Sequence, residues 1–122
     1  MSLSEQVRAS IEAHKPALIE TLFRLLRQPS VSAQGLGVAE CAEVLRDIME
    51  EHGIAARVIP TAGHPVVYGE YPVEGATNTL LVYGHYDVQP PEPYEAWISP
   101  PFEPAIRDGR IYARGTGDNK GQ

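Results

Sequence analysis

Three side chains in two short motifs have the types and the spacing to bind a metal ion. His85 and Asp87 lie in Gly84-His85-Tyr86-Asp87, directly after the apolar run Leu80–Tyr83. Because residues i and i+2 of an extended backbone point the same way, Asp87 can accept a hydrogen bond from one imidazole nitrogen of His85. The other nitrogen is then free to bind a cation, as in most metal-bound histidines. The motif alone favours a simpler interpretation, in which the two side chains only close the end of a strand.

The third candidate, Asp118, lies 33 residues after His85 in the glycine-rich run Gly115–Gly121. Glycines permit tight turns and a close approach of the backbone, which suits the placing of one carboxylate against a metal ion. An aspartate that caps the start of a helix fits the same spacing equally well. The spacing by itself therefore leaves both roles of Asp118 open.

The remaining reactive side chains lack partners at a useful spacing. Cys41 falls on the apolar face of a predicted helix and is expected to be a buried thiol. Trp97 and Phe102 could line a substrate pocket, but packing beneath a proline-rich loop is the simpler interpretation. Three histidines have no carboxylate or cysteine nearby in a metal-like spacing and are expected to pack or to lie on the surface: His14, His52 and His64.

Two amphipathic helices are predicted ahead of these motifs. The first begins with a capping box formed by Ser2 and Glu5 and ends at Gln28-Pro29-Ser30, and Pro16 predicts a kink or a restart within it. The second ends at Gly53, where a left-handed cap is expected. The apolar stripe of the first helix is Val7, Ile11, Leu18, Leu22, Leu25 and Leu26, and that of the second is Val38, Cys41, Leu45, Ile48 and Met49.

Strands are predicted after the helices, at Ile54–Ile59, Pro65–Tyr71 and Thr79–Tyr83. The third is apolar on both faces, which is typical of a central strand in a sheet covered by helices on two sides. A proline-rich loop follows, and its aromatic residues favour an ordered conformation. Residues 105–112 then form a predicted hairpin around the Asp108-Gly109 turn.

The composition describes one small globular unit. The 122 residues are 43% hydrophobic and 21% charged, with a net charge of −6. This charge argues against a general binder of nucleic acid or of anionic membranes, both of which require positive surface. No apolar run approaches the roughly 18–20 residues of a membrane span, and the start lacks the regions of a signal peptide, so we expect a cytoplasmic protein. A single cysteine excludes an internal disulfide.

Two blocks of sequence resemble the co-catalytic zinc peptidase family of carnosine dipeptidases, aminoacylases, acetylornithine deacetylase and succinyl-diaminopimelate desuccinylase. The blocks are Gly84–Pro90 and Gly109–Gly121, and Trp97–Pro104 between them is similar to the family's Trp-x-x-x-Pro-Phe connection. Val-Gln-Pro-Pro together with Asp-Asn-Lys-Gly favours the dipeptidase branch over the deacylases. Residues 1–80 resemble the family only in the order of their helices and strands.

The resemblance implies a fold, a set of roles and a cofactor. The fold would be α/β, with residues 1–122 as the N-terminal portion of a three-layer catalytic domain in which helices flank a mixed sheet. His85 would bind one metal ion, Asp118 would bridge two, and Asp87 would act in catalysis by orienting and polarising His85. The cofactor would be two divalent ions, zinc or alternatively cobalt or manganese, which activate a water molecule.

The implied activity is hydrolysis of the peptide bond in dipeptides or short peptides. Two alternatives remain open: deacylation of N-acyl amino acids within the same family, and a non-catalytic binding or assembly module. The family's Glu-Glu pair and its further metal ligands would follow Gln122, as would the lid or dimerisation domain. We therefore expect residues 1–122 to be inactive alone and to self-associate, and the longer protein to form a homodimer.

Overall fold

The computed structural model describes all residues from 1 to 122 as a small α/β structure with two helices and two separate two-stranded antiparallel sheets. The longer elements are helix α1 (Leu3–Arg27), helix α2 (Val38–Glu51), and strands β1 (Ala55–Ile59), β2 (Val66–Glu70), β3 (Ala105–Arg107) and β4 (Arg110–Tyr112). Two short 3₁₀ helices lie in the connections, at Ser32–Gln34 and Tyr94–Ala96. None of the helices combines the length and the apolar character that crossing a bilayer requires.

Helix α1 begins at the predicted capping box. The Ser2 hydroxyl accepts from the Glu5 amide at 3.3 Å, and the Glu5 carboxylate accepts from the Ser2 amide at 2.6 Å. The predicted restart at Pro16 is wrong, because the helix is continuous through it. Proline leaves the carbonyl of Glu12 without its helical donor, but this part of α1 is exposed and water can satisfy that oxygen.

The apolar stripe of α1 is buried only towards the C-terminal end of the helix. Leu26 is fully buried, whereas Val7, Ile11 and Leu18 remain 46–50% exposed. The N-terminal half of the helix therefore presents apolar side chains that no other element of this chain covers.

Helix α2 packs on the β1–β2 hairpin. Its buried face includes Val38 and Cys41, as predicted, and its end is closed by Gly53 with φ of 79°. The Gly53 amide donates to Glu50 and the Ile54 amide to Met49, which is the hydrogen-bond pattern of a glycine-terminated helix. Both predicted strands that follow are confirmed, and they pair in the register Val58 opposite Val67.

The third predicted strand, Thr79–Tyr83, is wrong for this chain. Residues 80–83 lie 81–87% exposed, and no backbone group between 79 and 83 makes a hydrogen bond. A strand exists only through pairing with a neighbour. The other strands pair with each other, so the chain offers this apolar run no partner.

The second hairpin is confirmed where the Asp-Gly signal placed it. Strands β3 and β4 pair across Asp108 and Gly109, whose φ angles are 50° and 73°. Two successive positive φ values are typical of the two-residue hairpin turn for which Asp-Gly is favoured.

The core is small and lies where the end of α1 meets the segment after His85. Only ten residues are buried. Val31 forms a parallel bridge with Val88, the Val88 amide donates to Ser30 at 2.9 Å, and the buried Ser30 hydroxyl donates to the carbonyl of Tyr86 at 2.6 Å. These contacts fix residues 86–88 against the loop that follows α1, and so they position the adjacent histidine.

Candidate metal centre

His85 and Asp87 lie side by side, as their spacing predicts. His85 Nδ1 is 3.0 Å from Asp87 Oδ1 and 3.1 Å from the carbonyl oxygen of the same residue. The second carboxylate oxygen of Asp87 accepts a hydrogen bond of 2.6 Å from the hydroxyl of Ser32. Each carboxylate oxygen of Asp87 therefore has a hydrogen-bond partner, and the contact with Nδ1 fixes the orientation of the His85 ring.

Asp118 approaches the opposite edge of the same ring. Its Oδ1 lies 3.0 Å from His85 Nε2, although 33 residues separate the two along the chain. The structure therefore brings together all three residues that the sequence singled out, with one imidazole between two carboxylates. Asp118 lies within a run of turns over residues 114–121 rather than at the start of a helix.

The turn that carries Asp118 is fastened to the rest of the molecule by the two residues after it. Asn119 Oδ1 accepts from the backbone amide of His85 at 2.9 Å. The ammonium of Lys120 donates to the carbonyls of Leu25 and Gln28, at 3.0 and 2.7 Å. Burial lowers the pKa of Lys120, and the neighbouring Cys41 opposes this in part.

The surroundings of His85 favour its protonated form. Its hydrogen bond to the Asp87 backbone raises the pKa of the imidazole, the charges of Asp118 and Asp87 add to this, and partial desolvation opposes it. Because the pKa of His85 is raised in the folded state, protonation of His85 stabilises the fold. This stabilisation is fully present below the ordinary pKa near 6.5 and is lost as the pH rises through the raised value. A cation that binds Nε2 must displace this proton.

The ligand atoms of His85 and Asp118 are of the types that bind metal ions, but two ligands are too few for a complete site. An imidazole nitrogen and a carboxylate oxygen are ordinary zinc ligands, and here they meet at one point. No group of three or more histidine, cysteine, aspartate or glutamate side chains in the chain could hold a metal ion. Catalytic zinc is usually held by three protein ligands, so His85 and Asp118 fit as part of a site that needs further ligands.

A cleft of about 780 Å³ is lined by His85 and Asp87 and by Asn119 and Lys120, the two residues after Asp118. Its walls include Ser32 and His64, whose Nε2 lies 3.2 Å from the Ser32 carbonyl. Sequence reasoning set His64 aside and missed Ser32, because both reach the site through contacts between distant segments. The sequence analysis assigned no role to Asn119 or Lys120, which it quoted only within the Asp-Asn-Lys-Gly motif.

The two histidines on the helices and the cysteine lie where the sequence analysis expected. His14 and His52 each contact a carbonyl one turn earlier on their own helices, at 2.7 Å, and Cys41 is buried. Trp97 and Phe102 line a separate surface pocket of about 520 Å³, which shares no residue with the His85 cleft.

Comparison with known proteins gives a consistent picture. Residues 81–122 match the model described as Peptidase family M20/M25/M40. The chain is 48% identical to an M20 family metallo-carboxypeptidase, Sso-CP2 from Sulfolobus solfataricus, with a TM-score of 0.81 over 84% of this chain and 24% of that one. It is 25% identical to the di-peptidase Dug1p from Saccharomyces cerevisiae, with a TM-score of 0.79 over 91% of this chain and 27% of that one.

The structure of human carnosine dipeptidase 1 is similar over almost the entire chain. The identity is 26% and the TM-score 0.85, and the match covers 99% of this chain and 29% of that one. The similarity therefore extends into residues 1–80, which carry no recognisable motif. The chain spans about a quarter of the length of these three structures.

Proposed function

We propose, from the relationship of this chain to the M20 peptidases, that the protein hydrolyses the peptide bond of dipeptides or short peptides. The relationship itself, which the two motif blocks indicated, is confirmed by the family match and the related structures. The fold likewise matches part of an M20 peptidase domain. Activity, substrate and metal are our proposals for the whole protein.

The observation that carries this proposal is the meeting of His85 and Asp118 at 3.0 Å, with Asp87 behind the ring. Asp87 accepts a hydrogen bond from Nδ1–H, so that when a cation displaces the Nε2 proton the Nε2 lone pair is already directed towards the Asp118 carboxylate. Ser32 donates to the far oxygen of Asp87 and fixes the carboxylate in this orientation. The contacts of Asp87 with Ser32 and with His85 therefore decide which ring nitrogen keeps its proton, and they fix the direction of the nitrogen that faces Asp118.

We assign the metal ligands as His85 and Asp118. Two divalent ions at this site, zinc by preference, would polarise the scissile carbonyl and lower the pKa of the attacking water. Asp118 has two carboxylate oxygens, of which one faces His85, so its second oxygen is available for a bridging role. With only two ligands in residues 1–122, we propose that this stretch alone is inactive and that further ligands and the general base come from elsewhere.

A substrate panel on the full-length natural chain that contains these residues tests the proposed activity. We expect hydrolysis of dipeptides or of short peptides at their C-terminal bond, loss of activity with a chelator, and recovery when zinc is restored. The mixture of dipeptidases and a carboxypeptidase among the related structures motivates the inclusion of both substrate types. Turnover of acetylated amino acids in preference to peptides would overturn the substrate assignment, and no turnover with bound zinc would favour the non-catalytic alternative.

We further propose that residues 1–122 self-associate when isolated. The run Leu80–Tyr83 is exposed and unpaired, and unpaired extended segments with apolar side chains tend to pair with another chain. Light scattering should show a mass that rises with concentration, and Val82→Lys should reduce this rise. Val73→Lys, at another exposed apolar position, is the matched control. A monomer at all concentrations would contradict the proposal.

A further inference from the structure

The two candidate ligands are carried by separate segments, each with its own attachment. The segment of His85 is fixed by the backbone contacts of Tyr86 and Val88 with Ser30. The turn of Asp118 is fixed by Lys120 on the end of α1. Neither attachment by itself sets the distance between the two ligands.

Asn119 supplies a direct connection between these segments. Its Oδ1 accepts from the His85 amide at 2.9 Å, and its Nδ2 donates to the side-chain oxygen of Gln122. Only the amide oxygen can accept from a backbone N–H, so the two contacts agree on the orientation of the amide group. Gly84 leaves room for it, since a Cβ at that position would lie 2.9 Å from Oδ1.

We infer that Asn119 is a positioning residue that sets the separation of His85 Nε2 and Asp118 Oδ1 for a shared cation. Asn119 follows Asp118 in the chain, and its side chain holds the backbone of His85, so one residue ties both ligands together. The His85 amide makes no other hydrogen bond, which leaves Asn119 as its sole partner within the chain. The inference rests on the proposed metal site.

Two substitutions separate the hydrogen bond from the bulk of the side chain. Asn119→Asp keeps the accepting oxygen, whereas Asn119→Leu keeps the size and removes it. Asn78→Leu, at the exposed second asparagine, is the control. Should Asn119→Leu fail to fold by circular dichroism, Asn119→Ala takes its place.

Two measurements are made on the full-length natural chain: hydrogen exchange of the His85 amide without metal, and zinc affinity by calorimetry. For Asn119→Leu we expect exchange about tenfold faster or more, and zinc binding weaker by roughly 10–100-fold, as for other groups that orient ligands. Asn119→Asp should retain slow exchange and zinc affinity.

Unchanged exchange and affinity in Asn119→Leu would overturn the inference, as would equal losses in Asn119→Asp and Asn119→Leu. A wild-type chain that binds no zinc would instead overturn the proposed function and, with it, the metal role of Asn119. Slow exchange of the His85 amide that Asn119→Leu abolishes would in that case show the hydrogen bond to be purely structural.

Discussion

Replacement of His85 or Asp118 by alanine is expected to abolish zinc binding and turnover of the full-length natural chain. Each substitution removes one of two donors that meet at 3.0 Å, and a catalytic zinc held by three ligands cannot be held firmly by fewer. The loss should exceed the roughly 10–100-fold that changes behind the ligands produce. Calorimetry with zinc and initial rates on a dipeptide measure the two effects.

Asp87, which contacts the imidazole but is not assigned as a metal ligand, offers a substitution with a smaller expected effect. Asp87→Asn keeps an oxygen for the Nδ1 proton but loses the charge that polarises His85. We therefore expect an intact fold and a loss of roughly 10–100-fold in metal affinity or rate, less than for either ligand. His52→Ala, at a histidine that only contacts its own helix, should leave both quantities unchanged. Zinc affinity that is unaltered in His85→Ala and Asp118→Ala would refute the assignment of the site.

The sequence predicted those elements whose signals are local. The capping box of Ser2 and Glu5, the glycine at the end of α2 and the Asp-Gly hairpin each depend on side chains within a few residues, and each lies where expected. The strand at Thr79–Tyr83 was also predicted from a local property, its composition. Strand pairing, however, depends on residues that are distant in the sequence. A strand that finds no pairing partner does not form, however apolar its residues are.

The same division applies to the candidate site. His85 and Asp87 are two residues apart, so an extended backbone alone brings them together. The approach of Asp118 could not be derived from its spacing, and only the family resemblance indicated it. Ser32 contacts Asp87 across 55 residues and Lys120 reaches α1 across more than 90, and such contacts follow from the tertiary structure alone.

Lys120 is held in a way that predicts a large effect on stability. Helical pairing would require the Leu25 carbonyl to accept from the amide of residue 29, but Pro29 has none. Lys120 donates to that carbonyl and to the one of Gln28, at the negative end of the α1 dipole. The ammonium thus supplies the donor that Pro29 cannot give to the Leu25 carbonyl, and it also binds the Gln28 carbonyl at the C-cap of α1.

Lys120→Met should destabilise the fold by about 1–3 kcal/mol, since hydrogen bonds to a charged group contribute that much and their loss leaves two carbonyl oxygens without a donor. Methionine also removes the cost of burying the charge, which the lowered pKa of Lys120 reflects, so we expect a loss in the lower half of this range. Urea unfolding of the full-length natural chain measures the change. The only other lysine, Lys15, is exposed on α1, and Lys15→Met should shift stability by no more than about 0.5 kcal/mol. Equal stability of the two variants would contradict the expected contribution of the Lys120 hydrogen bonds.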